Sequence, residues 1–237
     1  MKKRLGIIFG VILAIAALAS IFIIADSHNR TRSFSYQDTV RLSETINFDE
    51  YDPNSIIPAS SNSGDIDEKV KGDENAPIII YEYADYACSH CAEANTVINK
   101  ILKDYDGKVA LVFRGYLINY FRNNVITASA ATAAQLQGYW EEYKDLLFEN
   151  QSEWYYMSGS KLRDYLGELF EKASDGQGDT DKFYQDLYSD NVAKRIAFEY
   201  GLGVKVDVSG TPALFINGEA ISPSELKETV EKLIKQL

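Results

Sequence analysis

The only two cysteines of the 237-residue chain lie within four residues, Cys88-Ser89-His90-Cys91. Before them runs a short, apolar, β-rich segment, Ile78-Ile79-Ile80-Tyr81. After them, Ala94, Val97, Ile98, Ile101, Leu102 and Tyr105 recur at helical spacing. A Cys-x-x-Cys pair where a buried strand gives way to a helix reads as a thiol–disulfide redox centre. A purely structural disulfide is the weaker alternative, because so small a ring hardly constrains the unfolded chain. A closed zinc site needs four ligands, and His28 and His90 are the only histidines available to join the two cysteines. No metal is expected, and no cofactor beyond the redox-active Cys88–Cys91 disulfide itself.

The surrounding elements follow from periodicity. Residues 78–83 read as a buried strand, and Gly107 stops the helix after the cysteines. Lys108 to Arg114 reads as a second strand, which completes a βαβ unit. Helical patterns then occupy Asn123 to Gln137, Tyr139 to Glu149, Lys161 to Lys172, Thr180 to Tyr188 and Val192 to Tyr200. Ala213 to Ile216 returns to a strand, Asn217-Gly218 signals a hairpin, and Ser222-Pro223-Ser224-Glu225 reads as a capping box for a last helix. The order implies an α/β, thioredoxin-like fold over 73–237, with an inserted helical domain at about 119–203. Residues 26–72 are polar, with Pro53, Pro58 and a Ser/Asn-rich run at 59–64, and read as a flexible tether.

Met1-Lys2-Lys3-Arg4 is followed by Leu5 to Ala25 without a charge. At about 1.5 Å per residue such a helix crosses a hydrocarbon core of about 30 Å. Residues 1–25 therefore read as a cytoplasmic tip and transmembrane anchor, with the remainder extracytoplasmic. A cleaved signal peptide ending near Ala17-Leu18-Ala19 is the rival, although Ile21 to Ile24 prolong the apolar run past that site. In either case the cysteines face an oxidising compartment, at a single-pass position on the cell membrane in the first reading. The net charge of −11 offers no basic footprint for nucleic acid.

Each residue near the cysteines has a chemical role open to it. Cys88, at the start of the helix, meets unpaired backbone N–H groups and the positive end of the helix dipole, so it reads as the attacking thiolate. Cys91, one turn inside, reads as the buried resolving thiol. The His90 ring lies within a turn of Cys88 and is expected to stabilise its thiolate. Glu82 either faces solvent at a strand edge or lies beneath the pair as a proton relay to Cys91. Asp85 reads as a loop residue. Thr211-Pro212 opens a strand; a trans bond is the ordinary case, and a cis bond would turn the Thr211 backbone toward the disulfide to receive an extended peptide.

Two stretches carry a resemblance. Tyr81-Glu82-Tyr83-Ala84-Asp85-Tyr86-Ala87-Cys88-Ser89-His90-Cys91 and Val208-Ser209-Gly210-Thr211-Pro212-Ala213-Leu214-Phe215-Ile216-Asn217-Gly218 resemble the DsbA family of thiol–disulfide oxidoreductases. The resemblance extends over about Asp73 to Leu237 and is nearest to the membrane-anchored branch; Gln137-Gly138-Tyr139-Trp140 and Leu146-Leu147-Phe148 resemble that family's helical insertion. It implies that Cys88 attacks, Cys91 resolves, His90 is the dipeptide histidine, Glu82 the buried acid, and Thr211-Pro212 a cis-proline pair that binds substrate. Ser89 departs from the proline frequent at that position and bears on how oxidising the centre is. The implied activity is disulfide donation to exported, unfolded proteins, with a quinone-linked membrane reoxidase of DsbB or VKOR type as partner. A reductase or isomerase on the same fold, a copper-delivery protein, and a chaperone-like binding module with a structural disulfide are the alternatives.

Overall fold

A computed structural model describes residues 34–237. The expected anchor or signal peptide over residues 1–25 lies outside the described residues. Among those described, no helix is long and apolar enough to cross a membrane.

The central strand is β2 (Ile78–Ala84), a β-branched and aromatic run buried on both faces. It pairs in parallel with β3 (Val109–Gly115), Glu82 opposite Phe113, across α2 (Ser89–Asp104). On its other side it pairs antiparallel with β4 (Ala213–Ile216), placing Glu82 opposite Leu214. β1 (Lys69–Lys71) and β5 (Glu219–Ile221) form the edges, giving the order β1-β3-β2-β4-β5. Between β4 and β5, Asn217 and Gly218 both take positive φ, 54° and 80°, as a tight hairpin demands. The final helix, α9 (Leu226–Ile234), starts later than expected. Ser222 bonds its hydroxyl to Ser224 and its carbonyl to the Glu225 N–H, so 222–225 form a turn and no capping box.

The helical insertion comprises α3 (Asn124–Gln135), α4 (Trp140–Glu149), a short α5 (Gln151–Trp154), α6 (Gly159–Ala173), α7 (Thr180–Asp186) and α8 (Asp190–Lys205). Its apolar stripes meet around Tyr143, Phe170 and Phe183, the last two stacked with ring centroids 4.5 Å apart.

The segment expected as a tether is folded from Phe34 onward. α1 (Tyr36–Ser43) packs on α8, with Tyr36 Oη 2.9 Å from Tyr200 Oη. Phe48 and Tyr51 set their rings against Phe198 at 5.6 and 4.8 Å. The buried Arg114 of β3 donates to the carbonyls of Pro53 (2.6 Å) and Ser55 (2.9 Å) and to Glu68 Oε1 (2.7 Å). Lys69 pairs with Glu199, which also accepts from Arg195 Nε at 2.8 Å. Beyond α1, several backbone groups of this segment are met by distant side chains, the Ile57 N–H by Glu68 and the Phe48 and Tyr51 carbonyls by Lys205, so no local period marks it as folded.

Candidate active site

Cys88 occupies the N-cap of α2 in extended conformation, after β2 has ended, and Cys91 lies in the first turn. Both are free thiols and both are buried, Cys91 completely. The side chains of Cys91 and Thr211 and the backbone N–H groups of Cys91 and His90 act on the Cys88 sulfur, whose Sγ also lies 3.3 Å from the Thr211 carbonyl as a donor to it. The Cys91 side-chain bond leads these effects, which together outweigh burial and bring Cys88 down to about 5. Burial drives Cys91 the other way, far above the ordinary thiol range, reinforced by its bond to Cys88 and by the charge of Glu82. Two sulfurs a turn apart are thus held in opposite protonation states at neutral pH.

Glu82 lies inside the sheet, 1% exposed, with Oε1 making no hydrogen bond. Burial raises it to about 7, offset in part by the Lys144 cation. It therefore sits at the site core and not at a solvent edge. The Thr211–Pro212 bond is cis. Thr211 and Pro212, with His90, Glu93, Val97 and Pro223, border an open hollow of about 450 Å³ beside Cys88.

His90 is placed differently from the expectation drawn from its spacing. Its ring is largely exposed, with Nδ1 3.3 Å from Glu93 Oε2, and the part of His90 that reaches the Cys88 sulfur is its backbone N–H. Ser89 begins α2 and is exposed.

Two residues join the site to which no role in it had been given. Asp85 is a loop residue, as expected, but it is buried. It accepts from the N–H groups of Ala87 (2.9 Å) and Ile118 (2.8 Å) and from Asn124 Nδ2 (3.2 Å), fixing the loop that carries Cys88. Burial raises it to about 6. Lys144, fully buried on α4, brings the cation that acts on Glu82. Its signal was present: Trp140, Tyr143, Leu147 and Phe148 form the apolar stripe of α4, and a lysine falls within that stripe.

A family model described as Thioredoxin matches residues 65–236. Over 152 residues the chain is 34% identical to Na(+)/H(+) antiporter NhaA 3 of Salinispora tropica, a match covering 64% of this chain and 22% of the antiporter. The chain thus spans about a fifth of the length of the antiporters it matches. It is 26% identical over 183 residues to disulfide bond formation protein D of Bacillus subtilis, covering 71% of this chain and 78% of that one. The oxidised structure of BdbD from Bacillus subtilis shares the fold, with a TM-score of 0.62 at 23% identity over 77% of this chain and 100% of that one. The matched region contains Glu82, the Cys88–Cys91 pair and Thr211-Pro212, and the chain belongs to the thioredoxin family.

Proposed function

We propose that the protein is an extracytoplasmic thiol–disulfide oxidoreductase, tethered to the cell membrane by residues 1–25, that donates its Cys88–Cys91 disulfide to unfolded exported proteins. The observation that carries this reading is the opposed titration of the two sulfurs. A thiolate that persists below neutral pH stabilises the reduced enzyme and so makes its disulfide a good donor. A thiol held near 5 and not at its free value of about 8.5 favours the reduced form at pH 7 by at most about 2.7 kcal/mol, or about 60 mV for two electrons.

The chemistry runs in two exchanges. A substrate thiolate attacks Cys88 Sγ, and the electron pair of the broken S–S bond goes to Cys91. The substrate's second thiolate then attacks the mixed disulfide, and Cys88 leaves as its stable thiolate. Glu82 and Cys91 exchange the proton, while His90 and Ser89 border the attacking sulfur. Thr211 and Pro212 bind the peptide: an extended chain in the 450 Å³ hollow is within reach of the Thr211 backbone. Reoxidation falls to a quinone-linked membrane partner of DsbB or VKOR type.

Equilibration with glutathione buffers tests the direction of electron flow. The expected potential lies above about −200 mV; a value near the −270 mV or so of thioredoxin would make the protein a reductase. Cys91→Ser tests the substrate class, since it should trap exported proteins on Cys88 as mixed disulfides. A chaperone-like module would trap none.

A further inference from the structure

The loop after β3 and the segment after α5 bring a group of aromatic side chains to one surface. Tyr120 and Tyr156 are 75% and 74% exposed. Tyr120 packs edge-on against Phe121 with ring centroids 4.8 Å apart, and Tyr156 against Tyr155 at 4.9 Å. Arg122 lies over the Tyr156 ring at 5.8 Å and so bridges the two strips. Asn123 ties them as well, its Nδ2 donating to the carbonyls of Trp154, Tyr155 and Met157. None of these side chains borders the hollow beside Pro212.

Both strips are fastened to the loop that leads to the redox pair. The Ile118 N–H donates to Asp85 Oδ2 at 2.8 Å, and Gln151 Nε2 donates to the Tyr86 carbonyl at 2.7 Å. The first described residues reach the same end of the sheet. The Tyr36 hydroxyl meets that of Tyr200, Tyr200 stacks on Tyr116 at 5.1 Å, and the Tyr116 N–H donates to the Ala84 carbonyl at the end of β2. Redox loop, aromatic surface and the Phe34 end of the fold thus gather where β2 and β3 terminate.

We infer that Tyr120, Phe121, Arg122, Tyr155 and Tyr156 form a docking surface for the lipid headgroups of the membrane. The inference rests on the membrane-anchored reading above. In that reading eight residues, 26–33, separate the anchor from Phe34. Fully extended they reach at most about 30 Å. A domain of about 200 residues is about 40 Å across, so the surface around Phe34 is the one kept near the bilayer. The chemistry of the patch suits that layer. A tyrosine ring sinks its apolar face while its hydroxyl stays wet, and a guanidinium pairs with phosphate. Arg30 and Arg32 in the linker add cations that favour an anionic headgroup layer. A patch of this size binds lipid weakly by itself, but the anchor makes its contact with the bilayer intramolecular. Docked so, the loop that carries Cys88 faces the membrane, within reach of an embedded reoxidase.

The test places the full chain in vesicles of equal parts phosphatidylcholine and phosphatidylglycerol, with and without brominated acyl chains, and reads indole fluorescence. Trp140 and Trp154 are buried and give a background measured in the wild type. The indole introduced by Tyr120→Trp should be quenched by brominated lipid and should lose the acrylamide quenching it shows in detergent. The indole introduced by Asp106→Trp, at an exposed position before β3 begins and so at the opposite end of the sheet, should stay open to acrylamide and untouched by lipid. Adding Arg122→Ser and Tyr156→Ser to Tyr120→Trp should lower lipid quenching at least about twofold. Lipid quenching indifferent to Arg122 and Tyr156 overturns the docking surface. Protection from acrylamide without lipid quenching overturns it too, and means that a second copy covers the patch. Acrylamide access that closes only when a reduced, unfolded protein is added overturns it in favour of a substrate-binding face. A chain that alkaline carbonate washes from the vesicles overturns anchor and docking together. A chain that stays with the vesicles while position 120 remains open to water overturns the docking alone.

Discussion

At Cys88 the reactivity of the protein is set by a few groups around one sulfur: the Cys91 side chain first, then the Thr211 side chain and two backbone N–H groups. Its folded value, about 5, lies below the free value of about 8.5. The stabilisation of the folded dithiol is therefore complete above that free value and is lost as pH falls through 5. The oxidised form has no thiolate and no such dependence. Thermal unfolding of both redox forms should show the reduced protein losing up to about 2.7 kcal/mol relative to the oxidised one between pH 7 and acid. Equal pH dependence in the two forms would reject the thiolate assignment. Cys88, Cys91 and Glu82 were legible in the sequence because strand, turn and helix hold them in one short segment. Lys144 was not, because Glu82, on which its charge acts, is distant in the chain and only a break in an amphipathic stripe marks it. The His90 ring was legible in position and not in direction: spacing puts it near Cys88, while the neighbouring Glu93 and solvent take its side chain.

Among the elements, the entry to the helical insertion doubles as a support for the site. Asn123 takes a left-handed φ of 62° and shares its Nδ2 among the carbonyls of Trp154 (3.1 Å), Tyr155 (2.9 Å) and Met157 (3.0 Å). The next residue, Asn124, holds Asp85 beside the redox pair. Asn123→Gly keeps the backbone conformation and loses those bonds, at an expected cost of about 1–3 kcal/mol. Asn123→Ala loses the bonds and keeps a Cβ in the left-handed region without the polar side chain that eases it there, adding about 1 kcal/mol. Urea unfolding of both variants measures the two effects; equal midpoints would mean that the conformation costs nothing. The longer helices of the insertion were legible, α3 as an Ala-rich run and the others by their apolar faces, whereas the four-residue α5 was not. Their ends were less so, since caps depend on which partner a hydroxyl finds: the Ser222 side chain bonds Ser224 and leaves α9 uncapped.

For the molecule as a whole, the boundary of the folded unit lies well before residue 73, where composition alone placed it. The segment 34–72 supplies Glu68 to Arg114 and Lys69 to Glu199, all four side chains buried. It also adds β1 to the edge of β3 and covers Phe198 with two rings. A chain of 73–237 would keep Arg114, Arg195 and Glu199 in the interior, two cations against one carboxylate, with Glu68 and Lys69 gone. Stripping the partner from a buried ion pair costs about 3–5 kcal/mol. Two such losses approach the whole stability of a domain, about 5–15 kcal/mol. The fragment 73–237 is thus expected to lack cooperative unfolding and near-ultraviolet circular dichroism, although it contains every residue of the redox site. The fragment 34–237 should unfold in a single transition, with the Cys88 thiolate titrating as in the full chain. A cooperative 73–237 fragment would show that the ionic layer beneath β1 and β3 is dispensable. The N-terminal segment would then be a covering and not part of the core.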